Sequence, residues 1–597
     1  MRIEEGFQPA PFLEDNAYIN DPVLPSLLKR TIPASAFKEI ESDLTRLGHD
    51  VVTSIRALSD SSKISPPTLV QYDQWGRRVD ILHTSEGWRE LKALSQREGL
   101  PGIFYERKYG DASRTYGFAK MMLLVGDTNE IFCPISMTDG LARVIELIGS
   151  PEVKKDVLPR LISRDPSIAF TAGQWMTERP GGSDVSQTET TATPTSEVHK
   201  YGSKYTLNGV KWFSSATDSE VSVALARTGT LEQGSRGLSL FLIPLRKPLL
   251  RSLGDPTPPS PSNNILVHRL KHKIGTQILP TAELTLNDTE GYLLGQLGQG
   301  VKNITPVLNI TRAWSAMTSV GHLRKCLAIA TAYSRVRRIQ GGTLLLSDAP
   351  IHVAQLATIN ILYRALAHMA FGIVRLLGKV ECGTASEDDQ QVLRLLTPVT
   401  KAFAAEKASV GMEEAMTALG GAGYMEENGF GRAIRDALVE KIWEGTVVVL
   451  SLDVARAAKD PRTLKAFANW SNEVAKSCPA SLKSQISPEL QILQQAVEEF
   501  LSSYTAPVAP TVPRPAAMLL GIISSSLRLL EHAVWSELND EASKKLDLEV
   551  FKRWIVDAGT EAAIKALKEA KTGSQDVIAM NSALVFGAQT PQARHKL

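Results

Sequence analysis

Hydrophobic positions along the chain change their period twice. Between Pro33 and about Ser163 apolar residues recur three and four apart. Leu141-Ala142-Arg143-Val144-Ile145-Glu146-Leu147-Ile148, closed by Gly149, is the clearest case, and this spacing predicts helices. Around Ile168 the texture becomes short β-rich runs separated by turn residues: Lys204 to Leu207, Ser222 to Ala226, Leu238 to Ile243 and Ala282 to Leu286. Asn208-Gly209 between two such runs predicts a hairpin. Asp255-Pro256-Thr257-Pro258-Pro259-Ser260-Pro261 predicts an exposed loop by composition.

From about Val301 the pattern is helical again. Thr311 to Arg338, Pro350 to Gly378 and Gln390 to Leu419 are long and rich in Ala and Leu, with Gly420 to Gly423 stopping the third. A further helix is expected over Ile442 to Lys459. The tail is helical too, apart from a connector at Pro507, Pro510, Pro513 and Pro515. Ile3 to Ile32 is too irregular to assign, and there is no internal repeat. Helices, strands, then helices again predict an α+β chain rather than alternating βαβ units. A Rossmann sheet is therefore not expected, and Gly420 to Gly423 follows no strand, so it is not a dinucleotide phosphate loop. The four segments are 1–165 (N-terminal helical), 166–292 (central β barrel or sandwich), 293–459 (helical bundle) and 460–597 (additional C-terminal helices).

Composition adds limits. With 597 residues, 43% hydrophobic and 22% charged, the chain is neither disordered nor fibrous, and about four domains of roughly 150 residues are expected. The formal net charge of +2 argues against a whole-surface attraction to nucleic acid or anionic membrane. Cys133, Cys326, Cys382 and Cys478 form no CxxC metal or redox motif, so no metal is expected, and reduced intracellular thiols are the expectation. The first residues, MRIEEGFQPAPFLEDN, lack the apolar core of a signal peptide. Ala516 to Val534 is interrupted by Gly521, three serines and Arg528, which reads as a packed helix and not a membrane span. The last residues, His595-Lys596-Leu597, are similar to a peroxisomal Ser-Lys-Leu address; without that address a cytoplasmic location is expected.

Three segments carry candidate chemistry. Met176-Thr177-Glu178-Arg179-Pro180-Gly181-Gly182-Ser183-Asp184-Val185 lies at the change from helix to strand, where a Gly pair lets backbone N–H groups approach a ligand. Lys211-Trp212-Phe213-Ser214-Ser215 sets aromatic faces beside small hydroxyls. Ile442-Trp443-Glu444-Gly445-Thr446 places a carboxylate between Trp and Gly. Desolvation raises such a carboxyl and suits it to general-base work near neutral pH.

The order and spacing of these segments resemble the acyl-CoA dehydrogenase superfamily from roughly Pro134 to Arg456. The family's TEPGxGSD segment is matched by Thr177 to Asp184, and its KxWITN segment by Lys211 to Ala216. YAxxRxxFG is matched by Tyr333 to Gly341, FGGxG by Leu419 to Gly423, and the RD and YEGT segments by Arg435-Asp436 and Trp443 to Thr446. Within the superfamily the chain most resembles the AidB (adaptive-response) branch. That similarity rests on Pro66-Pro67, Tyr72-Asp73-Gln74-Trp75-Gly76-Arg77-Arg78-Val79-Asp80, Cys133-Pro134-Ile135-Ser136-Met137-Thr138, Trp443-Glu444-Gly445-Thr446, Leu452-Asp453-Val454 and the helical tail.

The resemblance implies FAD bound between the β and helical segments. Met176 and Thr177 match donors to the flavin pyrimidine edge, where negative charge develops on reduction. Phe213 matches a ring packed on the isoalloxazine, with Ser214 beside it, and Ser215 matches a flavin-contacting Thr. Gly182 and Ser183 match residues near the cofactor phosphates or the substrate thioester arm. Arg337, followed by Gln340, matches an Arg reaching the pyrophosphate of a neighbouring subunit. Gly420 and Gly421 match a phosphate loop, and Thr446 a hydroxyl near the adenosine. Glu444 matches the catalytic carboxylate that takes the α-proton of an acyl thioester while the β-hydrogen leaves as hydride to flavin N5. Arg312 and Gly445 match residues beside the substrate.

The chain departs from the family at Gln340 for Phe, Asn309 for Asp, Gln277 for Arg and Arg179-Pro180 for Pro-Gly. By the resemblance, these departures are compatible with the flavin site, while standard CoA recognition does not follow from it. The implied activity is α,β-dehydrogenation of an acyl-CoA in fatty-acid metabolism by a homotetramer built as a dimer of dimers. The electron acceptor is an electron-transfer flavoprotein, or O₂ in an acyl-CoA oxidase. A nitroalkane oxidase uses Asp as base, so Glu444 favours thioester chemistry. The AidB branch raises a DNA-associated flavoprotein with little dehydrogenase activity as the alternative. Residues 460–597 carry fifteen Lys/Arg and fifteen Asp/Glu, so strong duplex binding is not expected.

Overall fold

The computed structural model describes residues 11–62, 65–247, 250, 262–505, 508–573 and 575–587. The Pro-rich loop 255–261, Pro507 and the terminal His595-Lys596-Leu597 lie outside them. The chain forms two compact units. One comprises Met1–Ala385 and Ala404–Thr446; the other comprises Ser386–Phe403 and Val447–Leu597.

The first unit has helices on either side of a strand-rich stretch in sequence, which is the expected α+β order. Its longer strands are β1 (Thr68–Tyr72), β2 (Arg78–His83), β3 (Ala172–Trp175), β4 (Thr191–His199), β5 (Gly202–Ser215), β6 (Val221–Arg227), β7 (Leu238–Pro244), β8 (Ile265–Leu270) and β9 (Thr281–Leu294). β4, β5, β9, β7 and β6 pair in that order, and β6 returns to β4 through Thr191 and Arg227. The sheet therefore closes on itself, with β3 parallel to β6 and β8 against β9.

β6 and β7 are buried at every position, and period-2 alternation divides their apolar side chains between two cores. Val221, Val223, Leu225, Leu238, Leu240 and Leu242 pack toward Leu141, Val144 and Ile145 of the helix Phe132–Ile148, and toward Val307 of the helix Gly300–Ser334. Ala224, Ala226, Phe241 and Ile243 turn the other way and pack with Trp175, Tyr205, Leu207 and Leu284. Both faces are buried, so no polar alternation remains to be read. Each fully buried Leu or Val contributes roughly 1.5–3 kcal/mol of transfer free energy.

Asn208-Gly209 makes no hairpin turn, contrary to the sequence pattern. β5 runs straight through it with a register shift against β9 between Leu207 and Gly209. Asn208 Nδ2 donates to Asp288 Oδ1 (2.9 Å), and Asp288 N donates to Asn208 Oδ1 (2.8 Å). A Cβ at Gly209 would lie 2.5 Å from Thr190 Cα, so glycine serves a close backbone approach at a bulge. The β4–β5 turn falls instead at His199–Gly202.

A second difference is the β1–β2 hairpin, set in a stretch expected to be helical. Asp73 Oδ1 accepts from Trp75 N and Arg77 N, and Gly76 has φ +73°, so the turn is locally encoded. A third is the helix expected from Ile442. It begins only at Val447, because Glu444 (φ +57°) and Gly445 (φ +108°) leave the helical region.

The second unit is helical, built on Pro461–Ser477, Ser487–Ser502, Pro513–Leu538, Lys544–Asp557 and Thr560–Thr572. Pro350–Cys382 of the first unit and Pro513–Leu538 of the second are long and apolar enough to cross a membrane by composition, and 89% of each apolar window is buried inside the protein. Ser524, Ser525 and Ser526 donate back to carbonyls one turn earlier, and Trp554 Nε1 donates to Ser525 Oγ (2.9 Å). That pairing lets a serine-interrupted helix lie in a core.

Candidate active site

The first two candidate segments meet through a buried ion pair. Lys211 Nζ donates to Glu178 Oε1 (2.6 Å) and to Leu225 O (2.8 Å). Glu178 also accepts from Glu189 N and Thr190 Oγ1, each at 2.6 Å. Both side chains are almost fully buried. Burial alone would raise the Glu178 carboxyl, but the Lys211 ammonium and the hydrogen bonds outweigh it and hold it below the usual range. Trp212 N donates to Thr177 O (3.0 Å), so the backbone of one segment is laced to the other. The sequence showed both residues as motif members but gave no sign of their pairing.

Strand alternation then sorts the aromatic-hydroxyl segment. Phe213 is 52% exposed, and Ser215 shares its face. Ser214 is buried on the opposite face, and its Oγ has no hydrogen-bond partner among the described residues. Lys271 Nζ stands 3.4 Å from the Trp212 ring centroid and 4.5 Å from that of Phe213. Met176 and Thr177 are half-buried just after β3, while Gly182 and Ser183 are exposed and lead into the turn in which Asp184 Oδ1 accepts from Ser186 N (2.9 Å). An open aromatic ring, flanked by hydroxyls and a turn of backbone donors, suits one face and one polar edge of a flavin.

The carboxylate turn is tied to the helix Gly300–Ser334. Thr311 Oγ1 donates to Glu444 Oε2 (2.7 Å), and Arg312 Nε donates to Glu444 O (3.3 Å). One turn on, Ser315 Oγ donates to the buried Glu440, whose Oε2 also accepts from Trp443 Nε1 (2.5 Å). Thr311 and Ser315 are spaced i, i+4 and so share a helix face. Arg312 is matched by the family resemblance, whereas Thr311, Ser315 and Glu440 belong to no motif and carry no local signal in the sequence.

The segment between β8 and β9 lies against the chain leading into this turn. A Cβ at Gly275 would sit 2.2 Å from Arg435 O, and Thr276 N donates to Asp436 Oδ1 (2.5 Å). Burial, then the nearby Glu130, pushes the Asp436 carboxyl up to about 6. Raised above its unfolded value, it contributes stability that is complete below about pH 4 and is lost as pH rises through about 6. Asp436→Asn keeps an acceptor for Thr276 N and carries no charge. The stability difference between wild type and this variant should therefore shift in the variant's favour between pH 4 and pH 7, by about 2–3 kcal/mol. Melting at the two pH values measures this, and a pH-independent difference would refute it.

Other candidates stand apart from these groups. Arg337 and Gln340 lie beside the short strands Arg338–Ile339 and Leu344–Leu345, and Gln340 has φ +51°. Gly420 (φ +60°) and Gly421 are exposed, and a Cβ at either would meet open space. Thr446 is half-buried, next to Gly445, just before the helix Val447–Ala457.

Three family descriptions match the chain in the order its elements run. They are the AidB N-terminal domain over residues 7–166, the acyl-CoA dehydrogenase middle domain over 173–289, and the acyl-CoA dehydrogenase C-terminal domain over 298–459. "Acyl-CoA dehydrogenase family member 11" of Caenorhabditis elegans is 34% identical over 91% of this chain and 87% of its own length. The crystal structure of Caenorhabditis elegans ACDH-11 in complex with C11-CoA superposes with a TM-score of 0.87, at 32% identity and with 98% of each chain covered. The chain belongs to the acyl-CoA dehydrogenase family. Its N-terminal domain, together with 28% identity to "Putative acyl-CoA dehydrogenase AidB" of Escherichia coli over 75% of this chain and 79% of that one, sets it in the AidB-like branch.

Proposed function

We propose that the protein is an FAD-dependent oxidoreductase that removes one α- and one β-hydrogen from an acyl-CoA or a related thioester. The observation that carries this reading is the Glu444 carboxylate, held by Thr311 at its side chain and by Arg312 at its carbonyl. Glu444 takes the α-proton while the β-hydrogen leaves with its electron pair, so the product is an α,β-unsaturated thioester. FAD, when bound, supplies the two-electron acceptor for that hydride. Phe213 presents a ring face to the flavin, Ser215 a hydroxyl, and Met176 and Thr177 the donors at its pyrimidine edge. Gly182, Ser183, Gly420, Gly421 and Thr446 would hold the phosphate and adenosine side, and in a homotetramer Arg337 would reach a neighbouring subunit. Closing this slot from water strengthens each of these contacts.

The ligand in the Caenorhabditis elegans structure, C11-CoA, supports a CoA thioester as substrate class. Nucleic acid is not part of this reading. In the helical unit Lys544 pairs with Asp540, Arg553 with Glu549 and Lys571 with Glu499, which leaves these cations already neutralised by neighbours.

A panel of acyl-CoAs of increasing chain length, added anaerobically to the purified yellow protein, tests the function. At least one should bleach the flavin, and re-oxidation by O₂ against an electron-transfer flavoprotein separates oxidase from dehydrogenase. A flavoprotein that no acyl-CoA bleaches would refute the proposal.

A further inference from the structure

A polar chain runs from a half-buried cation to the open face of β5. Lys273 Nζ donates to Leu279 O (2.8 Å) and to Thr281 Oγ1 (2.9 Å), and Thr281 Oγ1 lies 3.0 Å from Ser215 Oγ. An ammonium can only donate, so it occupies a lone pair of Thr281 and strengthens that hydroxyl as a donor. Thr281 therefore gives its own hydrogen to Ser215, and the Ser215 hydrogen is left for a group on the open side. That side is the one Phe213 shares.

Lys273 is set among groups from three other segments. Cys133 stands on the helix Phe132–Ile148, Glu130 in the turn before it, and Asp436 on the helix Phe430–Ala437. Burial lowers the ammonium to about 8, and the nearby Glu130 and Asp436 carboxyls offset that only in part. The Cys133 thiol is itself pushed far up by burial, then by Glu130, so it stays neutral beside the cation. Nothing in the reaction as proposed uses Lys273.

We propose that Lys273 is a positioning residue of the flavin site, whose ammonium, acting through Thr281, sets the direction of the Ser215 hydrogen bond and makes the bound flavin easier to reduce. This rests on the FAD reading of the Phe213–Ser215 face. A cation at the far end of the chain favours the electron-richer reduced flavin, and that advantage fades as Lys273 loses its proton near pH 8.

The test is the two-electron midpoint potential of the FAD-loaded protein from pH 6 to pH 10, in wild type, Lys273→Met, Lys273→Arg, Thr281→Val and Ser215→Ala. At pH 6, Lys273→Met should lose roughly tenfold in the preference for reduced over oxidised FAD, about 30 mV for a two-electron couple. Lys273→Arg should keep the potential high but lose the extra fall near pH 8. Its difference from wild type cancels proton uptake by the flavin itself. Thr281→Val, which keeps the cation and cuts the chain, should resemble Lys273→Met and covers the case in which that variant does not fold. If Ser215→Ala shifts the potential while Lys273→Met and Thr281→Val do not, the role of Lys273 is refuted and the flavin face stands. If Ser215→Ala leaves both spectrum and potential unchanged, the flavin face itself is refuted.

Discussion

Glu444→Gln should bind FAD with an unchanged spectrum and lose acyl-CoA-dependent bleaching by about 10²–10⁴-fold, the span of a positioned general base. The amide is nearly isosteric with the carboxylate, and its oxygen can still accept from Thr311 Oγ1. Arg312 donates to the backbone carbonyl of residue 444, which the substitution leaves in place. The change therefore removes basicity and little else. Rapid-mixing absorbance of the anaerobic protein with the best acyl-CoA gives the rate directly. A variant bleached within tenfold of wild type would show that another group takes the α-proton.

Lys211→Met should be the most destabilising single change in the β-rich part of the molecule. It removes the only cation hydrogen-bonded to Glu178 among the described residues and leaves a carboxylate at 3% exposure. Breaking a buried pair in this way costs about 3–5 kcal/mol. The loss should reach function, because Glu178 and Lys211 flank Thr177 and Trp212, the two backbones joined at 3.0 Å. FAD retention should fall along with the melting temperature. Adding Glu178→Gln to Lys211→Met should restore part of the lost stability, since the stranded charge is gone. Additive losses in the double variant would mean that the two side chains act independently.

The chain reveals its fold unevenly. The runs Val221–Arg227 and Leu238–Pro244 are legible because strands rich in Val, Leu and Ala demand burial on both faces, which the closed sheet and the flanking helices supply. Asn208-Gly209 misleads because the same dipeptide serves a turn or a bulge. Only the approach of Thr190, distant until β4 and β5 pair, decides between them. The β1–β2 hairpin is short and half-exposed, so its signal is local: Asp73 and Gly76 within an alternating run.

The candidate site divides in the same way. Met176, Phe213, Ser215 and Glu444 are visible as members of contiguous segments, and Arg312 through the family resemblance. Thr281 joins Ser215 from 66 residues away, and Thr311 reaches Glu444 across 133. No local spacing marks such partners. Hydroxyls and lysines of this kind are common on any surface, and only tertiary structure singles these out.

The left-handed backbone of Glu444 (φ +57°) has one more consequence. Among residues with side chains, Asn and Asp tolerate this region best, and Glu has no such advantage. The position is therefore one where robustness and reactivity pull apart. A screen selecting only for heat resistance should drift there toward Gly or Asn, yielding sturdier proteins that have lost their base. Stabilising this scaffold without disarming it means holding residue 444 fixed and searching elsewhere.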